Sequence, residues 1–345
     1  MGALKSQALA DVAGKPRRGG AHAGAGSGSG TGAGTGGETA AVYRRRPLRP
    51  RRPLSRRWPF AAWVALLPML LTVIFAYLGT MLWTVRVSFS NSRTFPSNDF
   101  AGFTQYARLF HNDRWLVSLQ HIVLYGACFI VACIVLGMLL AIFIDQRVSA
   151  EGVLRTIFLY PYAMSFVATG LVWQWILNPS LGAQAVLRKI GFAHAHFDWI
   201  VDQDWVVYTV VIATVWQASG LVMALMLAGL RGVDDELWKA ARLDGIPRWR
   251  VYASIVIPML GPSLSTAFVL LFVMVVKLYD AVVAMTQGGP GTASEVPAKF
   301  IMDYLFGRAN IGLASAASVV MLLTVLAILA PFFYARSRAA ARKDV

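Results

Sequence analysis

Charged side chains are scarce in this sequence, making up 14% of its 345 residues against 57% that are hydrophobic. With a mean hydropathy of +0.57, that scarcity excludes an ordinary soluble domain and places the chain in a membrane. Cysteine is nearly absent. Cys128 and Cys133 are the two present, and both fall in an apolar run, which excludes a disulfide framework and a paired-cysteine metal site and leaves packing as their role. A phosphate cradle is also missing: the one Gly-Lys pair, Gly14-Lys15, is followed by Pro16, so the P-loop pattern is absent and any ATP chemistry must reside in another chain. No Ser-His-Asp order stands out. His194 and His196 lie near Asp198, Asp202 and Asp204, but without a metal-ligand spacing they read as solvated loop residues. We expect neither an enzyme nor a chain that binds a cofactor or metal.

The positive charge present is unevenly placed. The net charge is +15, and residues 1–57 alone hold 12 Lys/Arg against Asp11 and Glu38. Residues 1 to about 40 are mostly Gly, Ala, Ser and Thr, too poor in apolar side chains to offset the entropy of ordering, so this stretch reads as disordered. The run RRRPLRPRRPLSRR, Arg44 to Arg57, suits anionic lipid on the cytoplasmic side and holds the N-terminus there; a nucleic-acid partner is not expected. The first apolar segment, starting near residue 58, is longer than a signal-peptide core and should remain as a membrane span.

Six apolar segments follow at about 60–84, 117–144, 153–178, 206–229, 260–286 and 312–334, each near or above the roughly 20 residues that cross a hydrocarbon core as helix. The second and third, divided only by an interval with Asp145, Arg147 and Glu151, read as a helical hairpin. Pro161 and the run Trp173 to Trp175 interrupt the third. No strict repeat is visible. With the N-terminus inside, the cytoplasmic ends carry nineteen Lys/Arg and the outer loops eight, as the positive-inside rule requires. The expected organisation is all-α and polytopic: a basic cytoplasmic tail (1–57), a six-span domain (58–335) and a cytoplasmic C-terminal tail (336–345).

The polar interval Arg231 to Pro258, RGVDDELWKAARLDGIPRWRVYASIVIP, lies between the fourth and fifth spans. Asp234 can cap a helix whose first turn carries Asp235 and Glu236, carboxylates that suit the positive end of a helix dipole. Gly245 and Pro247 then stop it. Arg248 to Ile257 can run as a second helix, so the interval reads as helix, tight turn, helix on the cytoplasmic side. A plain connecting loop is the bland alternative.

This stretch resembles the cytoplasmic signature of the membrane subunits of ATP-binding-cassette importers, in which Glu-Ala-Ala is followed, two residues on, by Asp-Gly and later by an apolar residue and Pro. Lys239, Ala240, Ala241, Asp244, Gly245, Ile257 and Pro258 occupy those positions. A second stretch, MTQGGPGTASEVPAKFIMDYLF (Met285 to Phe306), resembles the outer loop of the carbohydrate-uptake (maltose/glucose-type) branch. The resemblance spans about 58–335 and implies a permease subunit of a bacterial sugar importer in the cell inner membrane. It further implies a second permease as heterodimer partner, two cytoplasmic ATPase subunits that use ATP and Mg, and an external binding protein. The look of the loop Gly288 to Tyr304 points to a monosaccharide such as glucose or mannose. The family glutamate is Lys239 here, and the alanine usual after Asp-Gly is Ile246, so a role resting on that glutamate does not carry over. Glu236, three residues before Lys239, is placed to pair with it and to supply that carboxylate. The implied ATPase-coupling set is Glu236, Leu237, Lys239, Ala240, Ala241, Asp244 and Gly245, with Leu237, Ala240 and Ala241 at i, i+3 and i+4 presented to the partner's groove.

Polar residues within the spans are costly and usually face a cavity or a partner. Lys277 and Asp280, three apart in the fifth span, can pair on one helix face; they read equally as a polar wall of a translocation path or as a structural ion pair. Gln174, Asn178, Gln217, Ser219 and Tyr279 are candidate contacts for sugar hydroxyls, and Trp173, Trp175, Trp216 and Tyr279 for ring stacking, with interfacial anchoring the competing reading for the tryptophans. An ion-coupled secondary transporter would favour charged midplane residues, and a non-transporting membrane scaffold is the third reading.

Overall fold

Water is absent from a hydrocarbon core, so every backbone N–H and C=O that crosses it must be satisfied within the chain, and helices do this locally. The computed structural model describes residues 58–146, 150–192, 194 and 196–341, with side chains from 63 to 334. It is helical nearly throughout. Among the described residues the only isolated strand-like pairing is an antiparallel bridge between Ser90 and Phe100. The elements that position the site are α1 (Trp63–Ser88), α2 (Thr104–Phe110), α3 (Asp113–Asp145), α4 (Glu151–Ala163), α5 (Phe166–Ile176), α6 (Ala183–Lys189), α7 (Val206–Leu230), α8 (Asp235–Leu243), α9 (Arg248–Met259), α10 (Gly261–Val276), α11 (Asp280–Thr286), α12 (Pro297–Met302) and α13 (Ile311–Ala341). Among the described residues α1, α3, α7 and α13 are each long and apolar enough to span, and α4–α5 and α9–α10 are bent pairs that complete six when each pair is one span.

The core of Ala61–Val345, one compact unit, is centred on α7. Val206, Ala213, Ala218, Val222, Met223 and Met226 are fully enclosed there, with Phe129, Cys133 and Ala141 of α3 packed against them. Small residues permit the approach: a methyl group on Gly137 would sit 2.6 Å from Val222, and one on Gly220 would sit 2.0 Å from the carbonyl oxygen of Phe158. Tyr125 donates a hydrogen bond to Thr214 Oγ1 across the same interface (2.8 Å). A second apolar cluster joins Trp115 of α3, Phe300 and Tyr304 of the segment after α11, and Leu313 and Ala317 of α13.

Several expectations are corrected. The hairpin of the second and third spans is one of sequence order only, because α3 packs chiefly along α7 and touches α4 little. The third span turns by 99° between Ala163 and Phe166, and the carbonyl that the turn frees, Met164 O, accepts 2.7 Å from Gln217 Nε2 of α7. The fifth is not one helix over 260–286. It begins in α9, bends by 70° into α10, stops at Val276 and restarts as α11 after a turn at 277–279. The last span runs on as one helix into the expected C-terminal tail, α13 ending at Ala341; residues 342–345 and the basic tail 1–57 lie outside the described residues.

The Gly220 contact is against backbone and has no room to relax, so Gly220→Ala is expected to cost roughly 3 kcal/mol from overpacking. Gly152, whose added methyl meets nothing within 4 Å among the described residues, should accept Ala within about 1 kcal/mol. Thermal unfolding of both variants in detergent measures the contrast.

Candidate functional site: the α8–α9 helix pair and the opposite loop

Both ends of α8 are built from local sequence. At its start Asp234 is in extended backbone and its Oδ1 accepts from Glu236 N (3.0 Å), while Asp235 and Glu236 place negative charge in the first turn. At its end Ile246 N donates to Ala241 O (3.0 Å) and Gly245 N to Arg242 O (3.2 Å), the paired bonds of a Schellman stop. Gly245 has φ +67°, a left-handed backbone that a side chain would strain. Ile246 and Ala241 then meet the main apolar cluster, the hydrophobic contact that accompanies this stop.

The pair is fastened to the span ends beside it. Trp238 lies against Tyr252 of α9 with ring centroids 5.2 Å apart. The amide of Gln146, just after α3, donates to Tyr252 Oη (3.3 Å) and its carbonyl accepts from Arg248 (3.2 Å). Arg231, at the end of α7, forms an ion pair with Glu151 at the start of α4. These groups line a cleft of about 850 Å³ with Asp145, Asp235, Lys239 and Arg242 on its walls.

This seating changes the face expected to meet a partner. Ala241 is buried and Leu237 and Trp238 are half-buried against the chain's own core, so Leu237 and Ala241 point inward rather than outward. The outward stripe is Glu236, Lys239, Ala240 and Leu243, at i, i+3, i+4 and i+7, followed by the exposed Asp244 and Gly245. Leu243 is 89% exposed. It was legible as an apolar residue beside the motif, but only the seating of Leu237 shows which face it occupies. Glu236 and Lys239 form no ion pair among the described residues.

The polar residues of the spans separate into different roles. Gln217 is buried with its amide on Met164 O, and Asn178 Oδ1 accepts from the backbone of Ser180 (2.9 Å) and Leu181 (3.0 Å); both serve the fold. Gln174 and Trp173 are half-buried on α5, with Trp173 edge-on to Trp216 at 6.0 Å, while Trp175 is exposed and Ser219 bonds back to Trp216 O (3.4 Å). Lys277 and Asp280 are both exposed, Tyr279 half-buried, at the break between α10 and α11. No ion pair joins Lys277 to Asp280 among the described residues, because the interrupted helix removes the shared face. α11 packs on α5 through Gly170 and Ala284, which brings the Gln174 helix and the Asp280 helix together. In the loop after α6, Asp198 accepts from Gln184 (3.0 Å) and contacts His196 (3.4 Å); these partners, Gln184 first, hold its carboxyl below the usual range.

The loop that follows α11 on the other membrane face is held by ions the sequence reading did not single out. Buried Glu295 pairs with Arg114 at the start of α3 (2.9 Å), Arg114 also pairs with Asp303, and Lys299 donates to Asp303 (2.7 Å). Burial pushes the Asp303 carboxyl up, but the Lys299 and Arg114 hydrogen bonds and charges outweigh it and hold it below its ordinary value. The stem of Lys299 packs over Gly288, where a methyl group would lie 2.8 Å from it.

Among the described residues, four apolar helices long enough to cross a membrane, six crossings when each bent pair is one span, with an ion-clamped loop at one end and a capped, firmly seated helix at the other, define a polytopic membrane protein. The chain belongs to the family of binding-protein-dependent transport system inner membrane components, whose model matches residues 133–343. It is 35% identical over 272 residues to a probable ABC transporter permease protein of Pyrococcus horikoshii, covering 78% of this chain and 93% of that one. It is 27% identical over 272 residues to the xylose/arabinose import permease protein of Haloferax volcanii, covering 78% and 85%. The fold is shared with a bacterial ABC transporter involved in import of the acidic polysaccharide alginate, at a TM-score of 0.70, 18% identity and coverage of 81% of this chain and 96% of that one. The chain is therefore a multi-pass ABC transporter permease, a transport subunit and not an enzyme.

Two outcomes follow. Gly245→Ala should destabilise the α8 stop by about 1 kcal/mol through left-handed strain, whereas Gly245→Asn, which tolerates that backbone, should cost only a few tenths; proteolysis at residues 243–247 reads the difference. Asp303 has a lowered carboxyl pKa, so its contribution to stability is complete above its ordinary value of 3.8 and is lost as pH falls through its lower folded value. The melting-temperature gap between the wild-type chain and Asp303→Asn should therefore be full at neutral pH and close below pH 3.8.

Proposed function

We propose that this chain forms half of the transmembrane path of an ATP-driven sugar importer, with a second permease as its heterodimer partner. In this reading α8 docks in a groove of one of two cytoplasmic ATPase subunits, which bind ATP and Mg, and an external binding protein delivers the sugar to the opposite face. The observation that carries it is the seating of α8: Leu237, Trp238 and Ala241 fix the helix to the chain's own core, and Glu236, Lys239, Ala240 and Leu243 are left facing outward. An exposed leucine between two alanines and a glycine turn suits an apolar pocket of a separate subunit. Lys239 stands where the family usually carries glutamate, so the outward stripe presents a positive charge at that position.

The import direction and the substrate class draw on relatives. One carries the name trehalose/maltose transport system permease, of Thermococcus litoralis, and another the xylose/arabinose import permease already described. A solved alginate transporter of the same fold was captured with an alginate pentasaccharide-bound periplasmic protein. Within that class the loop Gly288 to Tyr304 favours a monosaccharide such as glucose or mannose. Gln174, Tyr279, Lys277 and Asp280 are the polar groups of the path, since Gln217 and Asn178 are spent on the backbone. The count of Lys/Arg in the segments expected to be cytoplasmic, nineteen against eight in the outer loops, supports a cytoplasmic N-terminus and C-terminus. Family membership leaves the ion-coupled and non-transporting readings without support.

Reconstituted with an ATPase subunit, a second permease and a binding protein, the wild-type chain should take up labelled sugar only when ATP is supplied. Leu243→Ala should weaken ATPase association by roughly 2 kcal/mol, about thirtyfold. Gly245→Arg should abolish uptake with membrane insertion unchanged, and normal uptake by either variant would count against docking through this face.

A further inference from the structure

The segment between α1 and α3 is inside out. Apart from Leu109, its enclosed side chains are polar: Ser90, Ser92 and Gln105, with Ser88 at the end of α1, are each at most 6% exposed. Its exposed ones are phenylalanines, with Phe95 at 80%, Phe100 at 82% and Phe103 at 74%. The arrangement is well ordered internally. Gln105 Nε2 donates to Ser90 O and Asn91 Oδ1, both at 3.2 Å, and Ser88 Oγ meets Tyr106 Oη at 2.7 Å. Phe89 sits at the hub of the aromatic group, with ring centroids 5.4 Å from Phe103, 5.4 Å from Tyr106 and 6.4 Å from Phe100. A segment that turns most of its polar side chains inward and its largest apolar surfaces outward is built for a medium less polar than water.

Its level in the membrane is set by three span ends. It follows the last residue of α1 and precedes the first of α3. The backbone carbonyls of Ser92 and Arg93 also accept from Gly312 N (2.9 Å) and Ile311 N (3.3 Å) at the start of α13. All three ends lie on the face away from α8. Directly above, α1 is exposed from Trp63 to Trp83, so the phenylalanines continue its exposed apolar surface, and Arg86 stacks over Trp83 at 5.4 Å while donating to Asn98 (2.7 Å). Exposed Arg93, Asp99 and Arg108 alternate with the rings, the mixture found at the headgroup level. We propose that residues 89–110 form an interfacial anchor, with Phe95, Phe100 and Phe103 inserted at the headgroup–acyl boundary of the leaflet opposite the α8 helix pair. The anchor fixes the depth of α1, α3 and α13 together.

The test uses the full chain in nanodiscs of phosphatidylethanolamine and phosphatidylglycerol, with Cys128 and Cys133 replaced and a nitroxide placed in turn at Phe95→Cys, Phe100→Cys and Phe103→Cys. Phe75→Cys on α1, 84% exposed, is the lipid reference, and Asp202→Cys, in the exposed loop before α7, is the water reference. The expected ratio of oxygen to nickel-chelate collision at the three positions is several-fold above that at Asp202, with a depth shallower than that of Phe75. A ratio equal to that at Asp202 would place the rings in water and overturn the anchor. An immobilised label shielded from both reagents would overturn it equally, because a protein partner would then cover the surface.

Discussion

With α3 on one side and α4, α5 and α10 around it, α7 is enclosed by protein over most of its length, and that enclosure depends on backbone approaches only glycine allows. Gly137 faces Val222 and Gly220 faces the Phe158 carbonyl at distances that leave no place for a methyl group. In hydrocarbon there is little hydrophobic gain from joining two apolar helices, so close van der Waals packing and a few internal hydrogen bonds must hold them. Tyr125 to Thr214 and Gln217 to Met164 are two such bonds. The ends of α7 are consequently fixed points, and Arg231 at one of them, paired with Glu151, begins the polar interval from which α8 projects.

Placed this way, α8 is not a loose tether. Its inward side belongs to the same apolar cluster as α3 and α7, and Gln146 bridges α9 to the end of α3 through Tyr252 and Arg248. A partner that shifts α8 must therefore shift the ends of α3, α4 and α9 with it, and α9 passes into α10 through a 70° bend without an intervening linker. Coupling between distant sites requires elements that adopt discrete arrangements, biased by what binds to them. The break at 277–279 and the bent α4–α5 pair are where this chain departs from straight helices.

The helical class, the number of crossings and the capped helix after α7 were legible because each rests on a local signal: apolar length, Asp234 with its acidic first turn, and Gly245 at the stop. The bends were not legible. Pro161 marks the vicinity of the 99° turn, but what stabilises it is Gln217, 53 residues away. Lys277 and Asp280 were expected on one helix face because their spacing suits one; the turn between them comes from tertiary packing that spacing does not encode. The facing of α8 was misjudged for a related reason, as Leu237 and Leu243 are equally apolar and only the fit of Trp238 against Tyr252 decides which turns inward. Arg114 and Glu295 meet across 181 residues, and nothing local announces the pairing.

The bond from Gln217 to Met164 also sets the rotational register of α7. One residue of helix corresponds to about 100° of rotation, so a turn of α7 by a single position would withdraw the amide and leave the Met164 carbonyl at the third span's elbow without this partner. Gln217 Oε1 is itself buried with no partner among the described residues, so the side chain already sits at the edge of what burial permits and can surrender no further bond. Sliding of α7 along its axis would break the same bond and draw Gly220 and Val222 away from the Phe158 carbonyl and Gly137 that they fit. The permease therefore holds its central helix in a single register, and the third span's elbow is built around that register.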